Sequence, residues 1–85
     1  MNTSISVDDH RIRFGLYPKA RYESANVAVY TRRGELIETL HYGELQDGEI
    51  HFTWGVRPGR RAEYFVRVDL DEGTYLWIYP FQLDG

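Results

Sequence analysis

Apolar and polar residues alternate with a period of two along most of this chain, and no window of helical length carries a 3.6-residue apolar stripe. Successive side chains of a strand point to opposite faces, so the alternation predicts half-buried β-strands. Residues 4–7 and 11–16 are the first two; in the second, Ile12, Phe14 and Leu16 alternate with Arg11, Arg13 and Gly15. Pro18 removes a backbone donor, which makes residues 17–24 a loop or an edge bulge. Residues 25–31 read as a third strand with mixed faces, and 35–41 as its return across a hairpin at Arg32-Arg33-Gly34. The stretch 42–48, with Gly43, Asp47 and Gly48, reads as a longer turn.

The second half repeats the pattern. In residues 49–54, Ile50, Phe52 and Trp54 share one face and Glu49, His51 and Thr53 the other. A polar loop around Pro58-Gly59 follows, over residues 55–61. In residues 63–70, Tyr64, Val66, Val68 and Leu70 point inward against Phe65, Arg67 and Asp69. Asp71-Glu72-Gly73 makes another hairpin turn, and residues 74–83 form the last strand. That strand departs from the rule, with Tyr75, Trp77, Tyr79 and Phe81 on one face but Leu76 and Ile78 on the other. About seven strands with turns every 8 to 12 residues predict a small antiparallel all-β sandwich of the immunoglobulin or fibronectin-III type, with a small barrel as the alternative.

Length makes this economical. At 85 residues the chain is expected to be one domain, 1–85, near the size where a single core just suffices. Seven Tyr, four Phe and two Trp, each able to bury roughly 150–250 Å², supply the apolar area that a chain without cysteine cannot replace by disulfides. The net charge of −3, with mixed signs along the chain, argues against a generic polyanion binder. No stretch approaches the ~18 apolar residues of a membrane span, and residues 1–10 lack the basic start and apolar run of a signal peptide. If the sequence is the complete gene product, a cytosolic location is expected, or export without a cleavable signal.

The middle of the chain carries a recurring pattern: Val27, Val29 and Tyr30, then Gly34-Glu35-Leu36-Ile37, Thr39-Leu40, Gly48, Phe52, Trp54, Gly59, and Tyr64, Val66 and Val68. Over about residues 25–70 this resembles the immunoglobulin-like module of flagellar hook-capping proteins and related C-terminal domains of secreted bacterial proteins. The chain departs from that pattern where Gly55-Val56 follows Trp54 in place of Asp-Gly, and where Glu63 rather than Gly precedes Tyr64. The resemblance implies the sandwich fold, and an assembly role in a flagellar or secretory setting.

Chemistry-bearing residues are few. Cysteine is absent and neither Ser4 nor Ser24 sits in a nucleophile elbow, so no catalytic residue is expected and the protein reads as non-enzymatic. Asp8-Asp9-His10, with His51 from another strand, has the donor types of a metal site; the same residues suit a solvated turn, and no metal or other cofactor is expected. His41 and His51 are expected at the surface. Arg32 and Arg33 at one hairpin, and Arg57, Arg60 and Arg61 in the loop after Trp54, would form a basic patch for an anion or an acidic partner if the two loops share an end. Off-face aromatics at Tyr17, Tyr22, Tyr30, Tyr42 and Phe65 beside such arginines admit a nucleic-acid-binding barrel, a reading that the negative charge disfavours.

The two-sided last strand carries the leading expectation. A sandwich strand normally gives one face to water, so its second apolar face predicts a contact. Phe65, Leu76, Ile78, Tyr79 and Phe81 are its candidate residues. The expected function is a protein-interaction or assembly module that binds a protein partner, possibly itself. The alternatives are a phage-encoded protein that blocks a host machine and a small nucleic-acid binder using the arginine loops.

Overall fold

The alternation that runs through the sequence becomes seven strands in the computed structural model, which describes residues 2–8, 10–55 and 62–83. In chain order they are β1 (Asn2–Val7), β2 (Arg11–Tyr17), β3 (Tyr22–Thr31), β4 (Leu36–Leu45), β5 (Ile50–Gly55), β6 (Ala62–Leu70) and β7 (Tyr75–Leu83). Every pairing is antiparallel, and the strands divide into a three-stranded sheet, β1-β2-β5, and a four-stranded sheet, β4-β3-β6-β7. The two sheets face each other as a sandwich, so the barrel alternative falls away. β4 stays beside β3 and does not cross to the other sheet. The immunoglobulin constant type differs, its fourth strand lying in the same sheet as its first.

The inward sets meet between the sheets as the alternation requires. Ile12, Phe14 and Leu16 of β2 pack against Val27 and Val29 of β3 and Val66, Val68 and Leu70 of β6, all fully or almost fully buried. Fully burying a side chain of this size is worth roughly 1.5–3 kcal/mol, so this set forms the bulk of the driving force. Trp54 closes one end of the core, its ring edge-on to Tyr64 at 5.0 Å and to Phe81 at 6.1 Å.

Three expectations change. The loop predicted over 17–24 shrinks to 18–21, because Tyr17 pairs with Asn2 at the end of β2 and Tyr22 already pairs with Leu45 in β3. Tyr17 covers Gly15: its hydroxyl lies 3.1 Å from Ser4 Oγ, and a Cβ at position 15 would meet both. β4 extends to Leu45, so residues 42–45 belong to a strand and only 46–49 turn. Gly43, at φ +119°, continues the strand opposite Ala25, and register shifts between Tyr22/Ala25 and Val27/Ala28 absorb the irregularity. The mixed faces of β3 follow from its place between β4 and β6. The predicted hairpin at Gly34 is present, with φ +90° and its amide donating to the Thr31 carbonyl at 2.9 Å.

Candidate interaction surface

Strand register turns a set of off-face residues, scattered in sequence, into one surface. On the outer face of the four-stranded sheet, pairing aligns Leu36, Tyr30, Phe65 and Pro80 in a row running from β4 to β7. A second row holds Thr39, Ala28, Arg67 and Ile78, and a third Tyr42, Asn26, Asp69 and Leu76. Apolar side chains therefore fill the first row and the β7 column. Tyr30 and Phe65 stack with centroids 5.2 Å apart and planes 11° from parallel, a flat aromatic tile in the middle of the first row. Leu36 (58% exposed), Leu76 (47%) and Ile78 (53%) rim it in contact with solvent, and Tyr42 is 80% exposed.

A polar centre sits inside this rim. Arg67 donates to Asp69 Oδ2 at 3.3 Å, while Asp69 Oδ1 and the neighbouring Asn26 Oδ1 are buried without a hydrogen-bond donor. Buried acceptors of this kind are costly when unmet. Toward the other end of the face, Arg32, Glu63, Phe65, Ile78 and Pro80 line a shallow groove of about 480 Å³.

The residues predicted for an interface divide. Phe65, Leu76 and Ile78 lie on this outer face as expected. Tyr79 and Phe81 do not: Tyr79 packs against Phe14 at 5.4 Å, and Phe81 is only 8% exposed, stacked on Tyr64. Their odd positions on β7 turn them into the core, where Trp54 and Tyr64 need them. β7 is an edge strand, hydrogen-bonded to β6 alone among the described strands.

The arginine patch is not assembled among the described residues. Arg32 pairs with Glu63 at 2.6 Å, which offsets its charge, and Arg33 stands exposed at the hairpin. Arg57, Arg60 and Arg61 lie outside the described residues. Of the metal candidates, Asp9 lies outside the described residues and His51 pairs with Glu49 at 2.6 Å; among the described residues no cluster of three His, Cys, Asp or Glu could hold an ion. His51 is exposed as expected, but His41 is half-buried, bonded through Nε2 to the Glu44 carbonyl at 2.8 Å. Arg21 bonds to Glu44 at 2.6 Å and holds that carboxyl below its ordinary range, while Glu44 raises the guanidinium.

Comparison with family models, with curated proteins and with solved structures finds no match to this chain. The surface must therefore be read from its own residues. Sequence reasoning missed Leu36, Tyr42 and the Tyr30–Phe65 tile as one unit. The signal was present as off-face aromatics on separate strands, but only the β3–β6 register shows that they touch.

Proposed function

We propose that this chain is a non-enzymatic binding module that engages a protein partner through the outer face of its four-stranded sheet, along β6 and β7. The observation that carries the reading is the apolar row Leu36–Tyr30–Phe65–Pro80, continued down β7 by Ile78 and Leu76 on a face turned to solvent. Aromatic residues held rigid by stacking are favoured anchors at interfaces, because little side-chain freedom remains to be lost on binding. An assembly role also fits the resemblance of residues 25–70 to the module of flagellar hook-capping proteins.

A photo-crosslinking benzophenone side chain tests the reading when placed at Phe65, and, as a control, at Thr53 on the exposed face of the three-stranded sheet. Circular dichroism first confirms that both variants fold. Irradiation in the producing cell is expected to give discrete protein adducts, another copy of the chain included, from position 65 and not from position 53. Adducts from neither position, or equally from both, would overturn the assignment of the face.

A further inference from the structure

The backbone of β7 narrows the partner. Asp71 N donates to Ser24 O at 2.7 Å and Arg32 N to Glu63 O at 3.3 Å, so odd-numbered residues of β6 direct their amides and carbonyls to β3. Even-numbered residues of β6 therefore bond to β7, where they pair with Tyr75, Trp77, Tyr79, Phe81 and Leu83. The even positions of β7, Leu76 and Ile78 among them, aim their amides and carbonyls away from the sheet. Pro80 falls in the same set, which is why a residue without an amide hydrogen is tolerated there.

This edge lacks most of the usual protection against strand addition. β7 spans nine residues, YLWIYPFQL, without a charge, and pairs with β6 without a register shift. Natural edges are blunted by charges, bulges or proline, and here only Pro80 is of that kind. The opposite edge of the sheet, β4, carries Glu38 and Glu44 and is interrupted by register shifts. Ile5, Val7, Tyr75, Leu76 and Ile78 line the β1–β7 flank, while Leu36, Ile37 and Tyr42 belong to β4.

We infer that β7 pairs antiparallel with β7 of a second copy of this chain, forming a closed two-fold dimer with a continuous eight-stranded sheet. This rests on the reading of β7 and its outer face as the binding surface. A strand without charge can meet itself with no like-charge repulsion, and a two-fold contact uses the same edge twice, leaving only the blunted β4 edges at the ends. Pro80 limits the register on one side, and Thr74, whose amide already donates to the Asp71 carbonyl at 3.2 Å, limits it on the other. Centring the pair on Trp77 sets Leu76 opposite the partner's Ile78, and all four residues then give and accept a bond. Any register that brings Pro80 into the ladder leaves the carbonyl of Leu76, Ile78, Gln82 or Pro80 itself facing no donor, a cost that buried backbone avoids. In the chosen register the two Leu76 and two Ile78 side chains form one apolar cluster beside Phe65.

Because the chain has no cysteine, disulfide trapping reads this register directly. Opposed residues lie about 5.5 Å apart at Cα, within reach of a disulfide, whereas like positions sit two residues out of step and beyond it. An equimolar mixture of Leu76→Cys and Ile78→Cys chains is expected to give, under mild oxidation, a species of twice the 10.0 kDa chain mass, while neither variant alone does. Cross-linking of either variant alone, as fast as the mixture, would overturn the register. No cross-link in any sample would overturn self-pairing. The benzophenone at Phe65 then separates the two failures: adducts with other proteins leave the binding face standing, and their absence removes it as well.

Discussion

Trp54 shows how much single aromatic residues carry in a chain this short. Its indole is 7% exposed and meets Tyr64 and Phe81 edge-on, so truncation removes a large buried area and leaves a cavity that the flanking strands cannot close. Trp54→Ala is expected to cost about 3–5 kcal/mol in urea unfolding, a large share of the roughly 4–13 kcal/mol available to a domain of this length. A loss below about 1 kcal/mol would place the ring outside the core. Residues like Trp54, Phe14 and Val66 were legible in the sequence because inward or outward is a local question, answered by parity along one strand. Tyr79 and Phe81, expected at the interface, share the parity of Trp77; strand parity decides, and they pack inward. The pairing of Tyr30 with Phe65 was not legible, since 35 positions of chain separate two residues that only register brings together.

At the level of elements, strands announced themselves and their ends did not. β4 runs through Gly43 because β3 continues opposite it as far as Tyr22, and a glycine that reads as a turn locally is overruled by that partner. The β6–β7 hairpin was legible from Asp71-Glu72-Gly73, and its backbone explains why: φ is +52° at Asp71, +56° at Glu72 and +92° at Gly73, a left-handed run that favours glycine and tolerates Asp. A Cβ at position 73 would touch nothing within 4 Å, so Gly73→Ala isolates the backbone cost. That variant is expected to lose roughly 1–2 kcal/mol by chemical denaturation, while Glu72→Asn, better suited to a left-handed residue, gains about 0.5 kcal/mol. An unchanged midpoint for Gly73→Ala would mean that the turn readily takes another form. This hairpin matters beyond stability, because it sets the phase that aims the amides of Leu76 and Ile78 away from the sheet.

On the scale of the whole molecule, the two sheets are unequal. The three-stranded sheet shows a largely polar outer face, with Arg11, Arg13, His51 and Thr53 turned outward beside the Tyr17 hydroxyl. The four-stranded sheet shows an aromatic and aliphatic one, with an unblunted edge at β7. The two-sided last strand pointed to this face from sequence alone, but not to its breadth, which depends on β3 and β4. The arginine loops carried the rival reading, and the Arg32–Glu63 pair weakens it by offsetting one of the charges it needs. The most direct measurement of the central claim is light scattering on the native chain and on Ile78→Asp, with circular dichroism on both. Ile78 is half exposed, so the variant is expected to keep its β spectrum, and the native chain to scatter at twice 10.0 kDa where the variant scatters at 10.0 kDa. A native chain that is monomeric at every concentration tested, or a variant that remains dimeric, would contradict the account.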